Sequence, residues 1–356
     1  MVLKFLTRGL SITILAVLFS SPAFSDTLYG LHMDLTYSGD KTIITNAIEK
    51  AKEVNTQVSR NSFLWHKIEA QEGVKDWTIP DFVVDELLNS GIEPLFCIYG
   101  SPSWANGVSG SVENFYLYAP TDDQMFTQWV AKYKDFVSEA VTRYKGKVKK
   151  WELWNEENQH WFWKPVPNVD QYVLWYKEMY QAIRGIDPSI EVSLGGLSGL
   201  CCAEQQDYNG KTFLQELYNR NVYPDIISIH PYSHHAPDVH IQWQNNFDDI
   251  ELIYNVMSSN GQQGNKIWIT EWGWSTDKVS ETTQSEYLDK SLEMINTMYP
   301  YVTIATYFLD YDRPPEYIHG LYTVDFRLKE AGFRFKEFIQ RRIKPTPVKN
   351  LRIVTR

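Results

Sequence analysis

The stretch Trp151-Glu152-Leu153-Trp154-Asn155-Glu156-Glu157-Asn158 runs from an apolar, strand-like entry straight into a cluster of carboxylates and amides. Such a cluster at the end of a strand reads as a site and not as core. The design returns at Ile267-Trp268-Ile269-Thr270-Glu271-Trp272-Gly273-Trp274, where an apolar run delivers one carboxylate and a glycine then ends the strand. Either run alone is equally well a solvated strand end. The two together suggest paired carboxylate chemistry.

Working outward from these runs, short apolar segments begin near Leu28, Thr56, Pro94, Lys149, Glu191, Asp225, Lys266 and Thr303, with helical patterns between them. Strands alternating with helices form parallel βα units, and eight such units predict a closed α/β architecture, a (β/α)8 TIM barrel. No proline-rich linker or composition break divides residues 26–342, which are therefore expected to form a single catalytic domain. Two helices show the strength of the pattern. Phe126, Trp129, Val130, Tyr133, Val137, Ala140, Val141 and Tyr144 recur at three and four residues behind Thr121 to Gln124, which reads as a capping box, and Gly146 stops the run. Tyr172, Trp175, Tyr176, Met179 and Ile183 form a second stripe that Asp187-Pro188 closes. These aromatics are core residues.

A barrel of this kind carries its site on the loops that follow the strands. Here those loops hold Gly100-Ser-Pro-Ser-Trp-Ala-Asn-Gly107, Asn158-Gln-His-Trp-Phe-Trp-Lys-Pro165 and Pro231-Tyr-Ser-His-His235. Trp104, Trp161 and Trp163 thus fall on the expected site face as platforms for stacking. With 13 Trp and 22 Tyr the chain holds more large aromatics than a core needs, which fits a surface that stacks on flat apolar faces such as those of sugar rings.

Residues 1–25 read as a secretory signal peptide: Lys4 and Arg8 precede the apolar run Ile12 to Phe19, and Ala23-Phe24-Ser25 offers small residues for cleavage. The run is too short to span a membrane, so the expectation is a secreted or periplasmic protein with no membrane association after removal of the leader. Loss of Lys4 and Arg8 takes the net charge from −10 to −12, which disfavours nucleic acid as a partner. Residues 343–356 form a basic C-terminal tail that is either a linker stub or a segment docking on the acidic barrel. Cys97 lies in an apolar run and reads as core; the adjacent Cys201 and Cys202 are either two free thiols or a vicinal disulfide. No zinc-type spacing is present.

Retaining hydrolysis of a glycosidic bond needs one carboxyl group protonated to assist the leaving oxygen and one ionised to attack the anomeric carbon. Glu271, if close to Arg60 and Tyr232, has its anion favoured, and Glu156 in an aromatic setting has its acid form favoured. At this point the residues resemble glycoside hydrolase clan A, closest to glycoside hydrolase family 39. Trp151-Glu-Leu-Trp-Asn-Glu156 is similar to the clan's strand-four motif and Thr270-Glu271-Trp-Gly to its nucleophile strand. Arg60, the run Trp65, Ile68, Glu69, Gly73, Trp77 and Asp81, Ser101-Pro-Ser-Trp104, His230-Pro-Tyr232 and Gly320-Leu321 follow in order. The resemblance implies Glu156 as acid/base, Glu271 as nucleophile, Asn155 as partner of the sugar 2-hydroxyl, Arg60 and Tyr232 as supports for Glu271, and His230 on the site floor. It implies no cofactor and no metal. Glu157 departs from the family's usual proline, and Tyr307-Phe308 replaces a tyrosine-tryptophan pair that lines the first sugar site, so Phe308 is expected there. Family xylosidases carry added β-domains that narrow the site. This chain continues only briefly past the barrel, so an open cleft acting on internal bonds of a polysaccharide or oligosaccharide is expected, from a monomer. An exo-acting, xylosidase-like enzyme and a non-catalytic carbohydrate-binding barrel are the alternatives, and a metal cluster of His230, His234, His235 and His240 is a competing reading of the loop after the sixth strand.

Overall fold

The computed structural model describes residues 27–343. The leader read at residues 1–25 and all but the first residue of the basic tail read at 343–356 lie outside them. Eight strands, β1 (Leu28–His32), β2 (Val58–Leu64), β3 (Glu93–Tyr99), β4 (Lys150–Asn155), β5 (Glu191–Gly196), β6 (Ile226–Ile229), β7 (Lys266–Ile269) and β8 (Val302–Phe308), pair in parallel and in chain order, and β8 closes on β1. The principal helices follow the strands one for one: α1 (Lys41–Glu53), α2 (Thr78–Asn89), α3 (Asp123–Arg143), α4 (Val169–Ile186), α5 (Gly210–Asn219), α6 (Ile250–Ser259), α7 (Glu281–Met298) and α8 (Glu330–Ile343). This is the (β/α)8 barrel the alternation predicts, with each strand starting within two residues of the expected position.

Strand periodicity sorts the side chains between two environments. Outward residues such as Phe63, Phe96, Trp151 and Leu153 pack beneath the helices with Trp129, Tyr133 and Phe136 of α3 and Tyr172 and Trp175 of α4. Inward residues form layers. Val58, Leu95, Ile226, Trp268 and Ile304 make an apolar plug at the base. Above it lies a polar layer that includes Arg60, Glu152 and Thr270, and the site sits on that layer. Burying such groups is costly unless each finds a partner, so the polar layer commits the barrel's upper half to one hydrogen-bonded arrangement.

The cap of α3 differs from the expected one. Asp122, one residue beyond Thr121, takes the cap position and accepts from the Met125 backbone N–H at 2.9 Å. Thr121 and Gln124 make no box, because the chain enters the helix one residue later. Cys97 is buried, its thiol donating to the Trp154 carbonyl at 3.0 Å. Cys201 and Cys202 are free thiols whose sulfurs lie 2.8 Å apart. Among the described residues, no helix is long and apolar enough to cross a membrane.

Candidate active site

The end of β4 is where the backbone leaves ordinary strand geometry. Trp154 and Glu156 both adopt left-handed conformations, with φ of 80° and 46°. For residues other than glycine this costs of the order of 1–3 kcal/mol each and persists only when the surroundings enforce it. The anchor is the Trp154 indole, buried outside the barrel against Trp129, Trp163 and Trp175, with its N–H donating to the Phe162 carbonyl at 3.0 Å. With that ring held beneath the helices, the turn carries Asn155 and Glu156 into the mouth of the barrel, where both line the cavity.

Arg60, on β2 and fully buried, ties the layer together. Its Nε donates to Glu152 Oε2 at 2.5 Å, Nη1 to Glu271 Oε1 at 2.6 Å and to His32 Nδ1 at 2.7 Å, and Nη2 to Asn155 Oδ1 at 2.7 Å. A rigid guanidinium fork suits this work, since it presents several donors in one plane and keeps its charge. Tyr232, beyond β6, donates to the other oxygen of Glu271 at 2.9 Å. Burial works to raise the Glu271 carboxyl, but His230, His32, Arg60 and the Tyr232 hydroxyl together overcome it and hold the group at about 2. Arg60 and Tyr232 are the contributions that do not depend on a histidine's protonation. Glu271 is therefore an anion, as the sequence predicts for a nucleophile.

Glu156 faces His230, whose Nδ1 lies 2.7 Å from Oε1. The other ring nitrogen, Nε2, lies 3.1 Å from Thr270 Oγ1, and that hydroxyl donates its one proton to Glu152 Oε1 at 2.7 Å. Thr270 must then accept from Nε2–H, which leaves His230 Nδ1 and Glu156 Oε1 to share a proton in the short contact between them. One oxygen of Glu156 and one of Glu271 lie within 4.8 Å of each other and of a His230 nitrogen. That is the close spacing of retaining chemistry, short of the wider separation of an inverting pair. The same three residues could in principle hold a cation, but both oxygens of Glu271 already accept from Arg60 and Tyr232.

Above the pair opens a cavity of about 770 Å³, reaching from Glu156 and Glu271 to Asp34 and Tyr37 beyond β1, Tyr116 beyond β3 and Phe308 and Tyr317 near β8. Phe308 lies there as expected, packed edge-on with Tyr232 and His319. Trp161 also lines it, 57% exposed, and is set in place by its neighbour His160, whose backbone N–H and ring nitrogen both meet Asp207. The other two tryptophans are placed differently. Trp163 is fully buried, packed edge-on against Trp129 and Trp175 and tilted against Trp154, with its N–H 3.4 Å from Gln171, so it offers no ring face to a sugar. Trp104 turns away from the cavity to pack on Trp65 and donates to the Glu69 carbonyl at 3.0 Å. Loop membership puts a residue on the right face without deciding which way its ring turns.

Four further positions escaped the sequence reading. His32 and Asp34 follow β1, with His32 Nε2 2.8 Å from Asp34 Oδ2 and His32 Nδ1 3.5 Å from Glu271. Glu152 and Thr270 lie inside the barrel. All four are polar residues at or near the carboxyl ends of strands already recognised, which was the available signal. The four loop histidines do not converge on one centre among the described residues: His230 meets Glu156, His235 meets Asn246, His240 meets Asp248, and His234 belongs to no metal-sized cluster.

A closed parallel barrel with two carboxyl groups paired at the ends of its fourth and seventh strands has the architecture of a glycoside hydrolase. The chain belongs to glycosyl hydrolases family 39, whose sequence profile matches residues 57–329. A β-xylosidase of Geobacillus stearothermophilus is 27% identical over 165 residues, covering 46% of this chain and 31% of that protein. Among solved structures, a family 39 glycoside hydrolase from Bacteroides cellulosilyticus WH2 superimposes with a TM-score of 0.69 at 18% identity, covering 88% of this chain and 64% of the other. A monomeric β-xylosidase from Caulobacter crescentus CB15 gives 0.64 at 18% identity, covering 88% and 67%. The chain thus spans about a third of the Geobacillus protein and about two thirds of the two bacterial structures.

Proposed function

We propose that the protein is a retaining glycosidase that cleaves internal bonds of a polysaccharide or oligosaccharide by double displacement. The observation that carries the reading is an anionic Glu271, held by Arg60 and Tyr232, within 4.8 Å of a Glu156 oxygen. Glu271 attacks the anomeric carbon while Glu156 passes its proton to the leaving oxygen, giving a glycosyl ester on Glu271. Glu156, now a carboxylate, takes a proton from water as that water displaces Glu271. Asn155, its oxygen occupied by Arg60, has its amide N–H2 to offer the 2-hydroxyl of the sugar.

Internal cleavage is favoured by a second cavity of about 610 Å³, which shares Glu156, Trp161 and Tyr232 with the first and so extends the site to both sides of the acid. The xylosidase relatives keep an exo-acting, xylosidase-like reading as the alternative. Export with removal of residues 1–25, and action as a monomer, are part of the same proposal. The decisive test is product stereochemistry followed by proton NMR, together with Glu156→Ala and Glu271→Gln. Retention is expected, with loss of about 10³-fold or more in either variant and rescue of Glu156→Ala by azide as a glycosyl azide. Inverted product would overturn the assignment.

A further inference from the structure

The nucleophile and the acid divide the cleft by chemistry. Glu271 must sit under the sugar whose anomeric carbon it attacks, whereas Glu156 stands beside the oxygen that leaves. The first cavity contains both carboxylates; the second contains Glu156 without Glu271. The second cavity is therefore on the leaving-group side, a step that rests on the catalytic roles proposed above.

Its most prominent wall residue is Trp243. The indole is 80% exposed, more than any other large hydrophobic side chain among the described residues, and φ is 65°, a conformation a bulky residue rarely adopts. Neither burial nor local preference accounts for it. The loop beneath is nonetheless tightly built. Asn246, almost fully buried, accepts from the Ile241 N–H at 2.8 Å and donates to the Gln244 carbonyl at 2.7 Å, closing the turn on either side of Trp243. Asn245 fastens that turn to the loop after β5, accepting from the Cys201 and Cys202 N–H groups at 3.2 and 3.1 Å and donating to the Cys202 carbonyl at 3.1 Å. A rigid support holding an exposed aromatic ring toward a cavity that adjoins a catalytic acid is a pre-organised stacking platform.

We propose that Trp243, with Trp161 nearer the acid, binds the leaving-group sugars of the substrate, and that these are neutral. The cavity wall carries the carboxyl groups of Glu204 and Glu156, the amides of Gln159, Gln244 and Asn245 and the imidazoles of His230 and His234, with no lysine or arginine among the described residues that line it. That wall hydrogen-bonds hydroxyl groups and repels a uronate or sulfate.

The same subsite must seat an acceptor that takes the place of water in the second step, since this is the departure of the leaving group run in reverse. A β-glycosyl fluoride loads Glu271 as fluoride leaves with the proton of Glu156, which becomes a carboxylate. An acceptor hydroxyl then attacks the anomeric carbon, gives its proton to Glu156 and frees Glu271 as carboxylate. The experiment uses the fluoride hydrolysed fastest among the xylosyl, glucosyl, galactosyl and mannosyl compounds, with xylobiose or cellobiose as neutral acceptors and digalacturonate as the acidic one. The readout is the partition ratio of transfer product to free sugar, which a general loss of activity leaves unmoved. Trp243→Ala is expected to lower that ratio about tenfold for the neutral disaccharides, and Trp243→Phe to restore most of it. An unchanged ratio in Trp243→Ala would overturn the subsite, and equal transfer to digalacturonate would overturn its neutral character. Hydrolysis of none of the fluorides, or full hydrolysis by Glu271→Gln, would instead overturn the catalytic assignment on which the subsite depends.

Discussion

Tyr232 gives Glu271 a single hydrogen bond to an otherwise free oxygen, while Arg60 holds the other. Because a depressed carboxyl contributes stability and activity only while ionised, what Glu271 adds is present above its ordinary value of 4.5 and is lost as pH falls toward about 2. Tyr232→Phe removes one stabilising contact from the anion. The acid limb of kcat/KM is expected to move up by about one to two pH units, since a hydrogen bond to a charged group contributes about 1.5–3 kcal/mol. A pH–rate profile measures this, and an unmoved limb would remove Tyr232 from the support of the nucleophile. Arg60 is a poorer target for such an assay, because taking away a buried cation strands Glu152 and Glu271 together.

The junction of β4, β5 and α4 carries a second carboxylate with a different fate. Glu157 follows the proposed acid directly, yet it is fully buried behind the strand, where a Cβ at Gly195 would collide with Oε2, and neither oxygen finds a hydrogen-bond partner among the described residues. Burial, aided by Glu152 and Glu156, pushes its carboxyl up from 4.5 to about 8. The native state therefore holds this proton while the unfolded chain has released it, so stability falls as pH rises from 4.5 to 8, by about 1.4 kcal/mol per pH unit. Glu157→Gln should abolish that slope and keep most activity. Urea unfolding of both proteins across this range is the check, and parallel curves would refute it. In the same layer, Trp163→Ala should cost about 3–5 kcal/mol of stability, as for other large core aromatics, where Trp161→Ala should cost little. Thermal unfolding separates the two, and equal losses would mean that Trp163 is not core.

Considered whole, the molecule is a barrel whose upper face is a cleft running to both sides of Glu156. A substrate long enough to fill both cavities can use distant contacts to stabilise the transition state, so kcat/KM should rise with oligosaccharide length and the first products should be oligomers. Chromatography of products from a size series is the measurement. Release of single sugars from one end, with no gain from length, would select the exo-acting alternative.

What was legible in the chain is what depends on local pattern. Apolar alternation marked eight strands to within two residues, because strand and helix burial impose periods of two and 3.6 on any sequence. The polar interruptions at Asn155-Glu156 and Thr270-Glu271 marked the site, because charge at a strand end needs a reason. Only the tertiary structure decided the rest. Whether a loop tryptophan faces substrate or core depends on packing from distant elements, which buried Trp163 beneath α3 and α4 and left Trp161 and Trp243 exposed. Whether a glutamate is anion or acid depends on which charges the closed barrel brings to it. Arg60 reaches Glu271 across 211 positions of chain, and Glu157, one residue from the acid, turns to the opposite side of the strand. Sequence determines the elements and their order; closure of the barrel sets the distances on which ionisation and stacking depend.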